Sequence, residues 1–256
     1  MNKKLMALYI LFAFFVGLGI FAAYSFFSDI PAAEEDTAPP YEFADISELP
    51  GVREEPEQSE DEEPAPFPGP PTIDADALRA KNEDFLGWLY IPETYISFPV
   101  VKATDNAFYL KHGFNGHESA YGCPFADTRT APDSGNMVIH GHNMGNNRTE
   151  MFSPLLQYQA QAYAELHETA QLIMPGLNDG DEEYRLFAVL NFDINSDFDY
   201  IRSDFLSDED RADYISYLQS HSIFSTDFTP EGETFILSTC NRTYGADNRL
   251  LICFGR

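Results

Sequence analysis

The chain has 256 residues and carries 42 acidic against 15 basic side chains, a formal net charge of -27 at pH 7. Because this negative charge is spread along the chain and would repel phosphates, it argues against a nucleic-acid partner. The three cysteines, Cys123, Cys240 and Cys253, are too few and too odd in number for a disulfide framework, so we expect at least one free thiol.

A long apolar run lies near the N-terminus. Residues 5–27 are 23 residues without a charge, and as a helix they would reach ~34 Å, enough for a hydrocarbon core of ~30 Å. Lys3 and Lys4 precede the run and acidic residues follow it, so the positive-inside rule puts residues 1–4 in the cytoplasm. We predict a single-pass cell-membrane anchor over residues 1–27, with the rest of the chain extracellular. A cleaved signal peptide is the alternative, but its apolar part is usually shorter.

Residues 28–72 have the composition of a linker. They hold 14 acidic residues and 10 prolines against one basic residue, Arg53. Such a segment cannot bury enough apolar area to offset its ordering entropy. We predict a disordered acidic linker, kept extended by like charges and prolines, and a globular domain over residues 73–256.

The globular domain is predicted to be mainly β, a barrel or a sandwich. A short amphipathic helix or helix pair is predicted from Asp74 to Leu86. After it, apolar segments of β type alternate with clusters of Gly, Pro, Asn and Asp. The predicted strands cover residues 96–101, 136–140, 170–174, 184–190, 234–240 and 249–254.

Two helical insertions are predicted within this domain. The first opens with Ser153 as N-cap, followed by a proline at the first helical position, and runs towards Leu166. The second opens at Ser207, which forms an S-x-x-D capping pair with Asp210. Its apolar stripe consists of Tyr214, Ile215 and Leu218.

Cys240 ends an apolar β run and is followed by a polar turn, which places it at the end of a strand. By strand alternation it shares a face with Ile236 and Ser238. A cysteine is often a small buried apolar residue. It becomes a nucleophile when a neighbouring base or positive charge favours the thiolate, and that partner must come from elsewhere in the chain.

His140 and His142 end a second β run, separated by a glycine. Strand alternation puts both on one face, with their Cα atoms ~6.6 Å apart, so periodicity does not choose between them as a base. Two histidines could also bind zinc, with Cys123 or Cys240 as a third ligand. No CxxC, HxxxH or HExxH spacing supports that alternative.

Arg249 opens the last apolar run, nine positions after Cys240. A strand-end arginine is commonly just solvated. A hairpin between the two strands could instead bring its guanidinium beside the thiolate or a bound carbonyl oxygen.

Several segments resemble the sortase family of cysteine transpeptidases, especially its class B. Residues 237–240, Leu-Ser-Thr-Cys, resemble the T-L-x-T-C signature, with Ile236 in place of its first threonine. Residues 141–144, Gly-His-Asn-Met, resemble the segment around the catalytic histidine, and residues 248–250 lie where the family's active-site arginine opens the final strand. Segments 87–91, 98–102, 105–110 and 122–127 are also similar, so the likeness runs from about residue 75 to residue 256.

The resemblance implies an eight-stranded sortase-type β-barrel with N-terminal helices and a helix-bearing insertion before the cysteine strand. It implies catalysis by Cys240 as nucleophile, His142 as proton-transfer partner and Arg249 as electrostatic stabiliser. The predicted substrate-binding residues are Ser238, Thr239 and Asn143. No metal or organic cofactor is expected. His140, where relatives commonly carry a tyrosine or a small residue, is interpreted as neutral packing, and the alternative is that this second imidazole perturbs the ionisation of His142.

The implied reaction is cleavage of a C-terminal sorting motif of surface proteins at a threonine carbonyl, through a thioacyl-enzyme. The acyl group would then pass to an amine of a cell-wall precursor or of a pilin. A secreted thiol protease and a catalytically silent peptide-binding module are the alternatives.

Overall fold

The computed structural model of the protein describes residues 66–145, 148–178 and 183–256. Every described residue belongs to one compact unit of the chain. The predicted membrane anchor, residues 1–27, and most of the predicted linker lie outside the described residues and stay predictions. None of the helices in the described ranges combines the length and the apolar character needed to cross a bilayer.

Eight strands close into a barrel, as the resemblance implies. They are β1 Phe85–Tyr90, β2 Ser97–Val101, β3 Phe125–Ala126, β4 Asn136–His140, β5 Thr169–Ile173, β6 Tyr184–Asp193, β7 Thr234–Cys240 and β8 Asn248–Gly255. Their order around the barrel is β1-β2-β3-β4-β7-β8-β6-β5, and β1 pairs with β5 to complete the circle. The pairs β2–β3 and β4–β7 are parallel. Closure pairs both edges of the sheet, which removes the exposed strand edges of an open sheet.

The N-terminal helix is shorter than predicted. The helix α1 spans Ala75–Lys81, and the prediction that helix continues to Leu86 is wrong. Asn82 leaves the helical conformation with φ -148° and ψ 114°. Phe85 then pairs with Val101 in the barrel, so sheet pairing overrides the local helical spacing.

The first predicted insertion is a 3₁₀ helix, Ser153–Gln159, followed by the helix α2, Gln161–Leu166. The prediction of Ser153 as N-cap is wrong. Its hydroxyl oxygen instead accepts a hydrogen bond from the backbone N–H of Met144, at 2.8 Å. A tertiary contact therefore uses the oxygen that a cap would need.

The second predicted insertion is confirmed as the helix α3, Asp208–Ser220, which lies between β6 and β7. Ser207 caps it by accepting a hydrogen bond from the backbone N–H of Asp210, at 3.2 Å. The predicted stripe of Tyr214, Ile215 and Leu218 is buried. Each such side chain contributes ~1.5–3 kcal/mol by leaving water, which holds the helix against the barrel.

Alternation along β7 separates the two faces of the barrel wall. Phe235 and Leu237 pack in the large core cluster inside the barrel, whereas Ile236 packs in the cluster that α3 covers. Ser238 and Cys240 follow Ile236 at a spacing of two, so they lie on the outer face of the wall. The insertion that carries α3 therefore stands beside the cysteine.

Candidate active site

Cys240 and Arg249 form a register pair across the antiparallel strands β7 and β8. Both residues are half-buried. Opposite residues in such a ladder have Cα atoms ~4.5–5.5 Å apart. The structure thus places at opposite positions of two paired strands the residues that the sequence left nine positions apart.

His142 is brought to Cys240 by the parallel pairing of β4 with β7. His140 pairs with Ser238, and the backbone N–H of Gly141 donates to the carbonyl of Ser238 at 3.2 Å. Beyond β4, the side-chain amide of Asn143 donates to the carbonyl of Cys240 at 2.8 Å. The segments that end in His142 and Cys240 therefore run side by side.

A backbone carbonyl orients the ring of His142. Its Nε2 lies 2.8 Å from the carbonyl oxygen of Leu110. A carbonyl only accepts, so Nε2 carries the hydrogen and Nδ1 is left to exchange a proton. The backbone of Gly122, which has a positive φ of +65°, packs closely against this ring. A Cβ at position 122 would lie 3.2 Å from Cδ2 of His142.

The three predicted catalytic residues line one cavity of about 700 Å³. Its far wall is the segment 192–201, which connects β6 towards α3. Further lining residues are Asn106, Leu110, Asp127, Arg129, His140, Ser238 and Thr239. A second cavity, of about 320 Å³ around Arg185, contains none of the predicted site residues. The larger cavity is therefore the candidate active site.

Arg249 has unused hydrogen-bond donors in this cavity. Its Nη1 donates to the carbonyls of Ala246 and Asn248, each at 3.1 Å. Among the described protein atoms, its Nε and Nη2 have no acceptor. These groups are available to a bound carbonyl oxygen or oxyanion.

The other two cysteines lie outside the cavity. All three thiols are free, and Cys123 and Cys253 are buried. Burial raises the pKa of both buried thiols far above the ordinary value, so they stay protonated and unreactive. Within the described ranges, no group of three or more His, Cys, Asp or Glu side chains is arranged to hold a metal ion.

The predicted substrate-binding residues make internal hydrogen bonds. Ser238 shares one of 3.2 Å with the hydroxyl of Tyr200, and Thr239 donates to the carbonyl of Gly141 at 2.8 Å. Asn143 holds the carbonyl of Cys240, as described above. Ser238 and Thr239 line the cavity but are almost fully buried. These contacts position the site, and a role in binding substrate stays a prediction for all three.

Asp127 is a member of the cavity that the sequence did not single out. Its side chain is 3% exposed, and Oδ2 lies 2.9 Å from Nε2 of His140. It also accepts hydrogen bonds from the backbone N–H of Arg129, at 2.9 Å, and from the amide of Asn106, at 3.0 Å. Burial disfavours the carboxylate, but these hydrogen bonds outweigh it and lower the pKa of Asp127 to about 2.

His140 thus makes a polar contact with Asp127 as well as packing against Phe125, and its interpretation as neutral packing stays a prediction. In the antiparallel register of β3 with β4, Phe125 pairs with His140. Asp127, two residues after Phe125, lies on the same face and contacts the imidazole. The one signal in the sequence was a carboxylate directly after an apolar run, in the segment 122–127. Nothing in that signal connects it to a histidine 13 residues later.

Two known proteins are similar to the chain in sequence. No protein-family model matches it. Sortase B of Listeria monocytogenes serovar 1/2a is 31% identical over 168 residues, which are 64% of this chain and 65% of that protein. Sortase B of Staphylococcus aureus is 25% identical over 181 residues, 69% of this chain and 71% of that protein. The chain thus spans just under two thirds of the Listeria relative.

A crystal structure of Clostridium perfringens sortase B shares the fold, with a TM-score of 0.62 and 26% identity. The superposition covers 70% of this chain and 97% of that one. The closed eight-stranded barrel matches the fold of the solved sortase B structures. In sequence and in fold, the chain is therefore similar to class B sortases.

Proposed function

We propose that this protein is a cysteine transpeptidase that cleaves a sorting motif at a threonine carbonyl and transfers the acyl group to an amine. The observation that carries the proposal is the register pair of Cys240 and Arg249 in a cavity that His142 also lines. The similarity to sortase B proteins supports it. A protein with this reaction would act at the cell envelope, where surface proteins are anchored.

Acylation begins at the sulfur of Cys240. The thiol of Cys240 first gives its proton to His142. The resulting thiolate attacks the threonine carbonyl carbon, a C–S bond forms, and the π electrons of the carbonyl move to oxygen. When this tetrahedral intermediate collapses, the C–N bond breaks and the amine takes a proton from His142. Because Nε2 of His142 is hydrogen-bonded to the carbonyl of Leu110, Nδ1 is the atom that delivers this proton. The products are a thioacyl-enzyme and the released C-terminal fragment.

Arg249 stabilises the oxyanion of this intermediate. Arg249 is the register partner of Cys240, and its Nη1 donates to the carbonyls of Ala246 and Asn248. Its Nε–H and Nη2–H groups, which have no acceptor among the described protein atoms, are the proposed donors to the oxyanion. Donors already in place before the reaction need no reorganisation when charge develops on the oxygen.

Deacylation requires a second amine. It attacks the thioester carbonyl and gives a proton to His142, and the C–S bond breaks to regenerate the Cys240 thiolate. A cell-wall precursor is the proposed source of this amine, with a pilin lysine as the alternative. The predicted anchor and linker would hold the catalytic domain outside the membrane, near either acceptor.

A two-substrate assay tests the proposal. The full chain is mixed with threonine-containing peptides, with and without an added amine, and the products are identified by mass spectrometry. Transfer to the amine through an acyl adduct on Cys240 is the expected result. Hydrolysis that no amine can divert would indicate a thiol protease, and the lack of any adduct would indicate a silent peptide-binding module.

A further inference from the structure

Phe198 forms part of the far wall of the candidate active-site cavity, the segment 192–201. In the described part of the chain, the backbone N–H and carbonyl groups of Asp197 and Phe198 take no part in a hydrogen bond. The nearest anchors are the hydrogen-bonded N–H of Ser196 on one side and the ion-paired carboxylate of Asp199 on the other. The position of Phe198 in the wall therefore depends on the contacts of its ring.

The ring of Phe198 lies against the helix α3. It stacks on the ring of Tyr217, with 3.6 Å between the centroids and 8° between the planes. Tyr214, three residues earlier on the helix, lies 5.3 Å away at 22°. Because residues three apart lie on the same face of a helix, α3 presents both tyrosines to one ring. Such aromatic pairs contribute more than the apolar area that they bury.

Tyr217 is itself fixed on α3. Its ring also stacks on that of His221, with 3.9 Å between the centroids and 19° between the planes. Two rings at these distances cannot share one face, so Tyr217 lies between Phe198 and His221. Nδ1 of His221 lies 2.9 Å from the carbonyl oxygen of Tyr217, which ties the outer ring to the helix. The stack therefore connects the cavity wall to a helix whose apolar stripe is buried against the barrel.

We propose that Tyr217 is a positioning residue, whose ring holds Phe198 in the far wall and so sets the shape of the cavity before a peptide binds. Phe198 lines the cavity and Tyr217 does not, so Tyr217 acts through its neighbour. A peptide that meets an ordered wall does not have to order it on binding, and its apparent affinity is higher for that reason. This inference rests on the proposed function, since the peptide is the substrate of that reaction.

The test compares Tyr217→Leu with Tyr217→Phe in the full chain. Leucine keeps an apolar side chain of high helix propensity but removes the ring, whereas phenylalanine keeps the ring. The probe is a pool of synthetic peptides with a fixed threonine and randomised flanks. The rate of acyl-enzyme formation on Cys240 is measured against the pool concentration, which gives a maximal rate and a half-saturating concentration.

Tyr217→Leu should raise the half-saturating concentration roughly twofold to tenfold, the range for one aromatic pair. Its maximal rate should stay within about twofold of wild type, because the barrel strands position the catalytic residues. Tyr217→Phe should match wild type in both values. The matched control is Tyr163 on α2, a half-buried tyrosine whose ring contacts Tyr158 and His167 and lies outside the cavity. Tyr163→Leu should also match wild type.

Proteolysis gives a second measurement that does not need the reaction. Chymotrypsin cleaves after aromatic residues, and cleavage after Phe198 requires its ring to leave the stack. The initial rate at this bond is read by mass spectrometry, relative to the rate after the buried Phe235, which reports global unfolding. This ratio should rise roughly twofold to tenfold in Tyr217→Leu and stay at the wild-type value in Tyr217→Phe.

A wild-type result for Tyr217→Leu in either measurement, or equal effects in Tyr217→Leu and Tyr217→Phe, would overturn the inference while leaving the transpeptidase intact. Failure of every peptide to acylate wild-type Cys240 would instead overturn the proposed function. Cleavage after Phe198 would then decide alone whether Tyr217 holds the wall.

Discussion

Cys240 and Arg249 lie directly opposite one another on neighbouring antiparallel strands, and both line the candidate active-site cavity. This pairing fixes the guanidinium relative to the sulfur through backbone hydrogen bonds rather than through a flexible loop. A side chain held in this way acts as a preorganised donor, and its loss should affect the rate more than substrate binding.

We expect Arg249→Ala to slow turnover by roughly 100- to 1,000-fold, the cost of losing one oxyanion donor, with Arg249→Lys intermediate. Steady-state kinetics on folded protein check this. Arg79 on α1, which donates to the carbonyl of Pro175, is the matched control. If Arg79→Ala lost as much activity as Arg249→Ala, the assignment of Arg249 would be wrong.

Cys240→Ala should abolish both cleavage and transfer, because a methyl group cannot form the acyl-enzyme. Cys123→Ala and Cys253→Ala should retain activity, at a cost in stability from their buried positions. In the native full chain, iodoacetamide should modify Cys240 and spare the two buried thiols, as read by peptide mass spectrometry. An acyl group found on Cys123 or Cys253 would contradict this prediction.

Gly122→Ala should reduce activity strongly by displacing His142, in the same direction as His142→Ala. The new Cβ would lie 2.4 Å from the carbonyl oxygen of Tyr109 and 3.2 Å from the His142 ring. Gly116 is a matched control, since it also has a positive φ, +77°, but its Cβ would meet nothing within 4 Å. Each substitution carries a backbone strain of ~1–2 kcal/mol, so equal losses of activity per folded molecule would show that strain alone is responsible.

Asp127 should make the folded domain sensitive to acid. Its pKa of about 2 lies below the ordinary value of 3.8, so its stabilising contribution is complete above pH ~4 and is lost as the pH falls through ~2. The shift corresponds to about 2 kcal/mol. The free energy of unfolding is measured by urea at pH ~6 and pH ~2. Between these pH values, Asp127→Asn should lose about 2 kcal/mol less than wild type loses. Identical losses in both proteins would contradict the prediction.

The intact chain should stay with the membrane after a high-salt wash, whereas a chain beginning at Thr72 should be soluble and folded, because residues 5–27 carry the apolar run. Membrane fractionation checks where the intact chain is found, and circular dichroism checks that the shorter chain is folded. Recovery of a mature N-terminus between Ala22 and Ser28 would instead show a cleaved signal peptide.

The sequence by itself determined the local features of the site. The bounds of β4 and β7, the strand-end position of Cys240 and the Ser207 cap of α3 were all readable. Each depends on alternation, turn composition or capping within a few residues, and such short-range preferences act along the chain. Motif resemblance added the barrel and preferred His142 over His140.

Only the tertiary structure decided which groups meet around these features. His142 takes its orientation from a carbonyl 32 residues away, and His140 takes its tautomer from a carboxylate 13 residues away. The hydroxyl of Ser153 accepts a hydrogen bond from the backbone N–H of Met144 instead of capping the helix. These contacts follow from strand register and barrel closure. The free energy of those long-range pairings depends on the whole set of strands, so no local window of the sequence contains it.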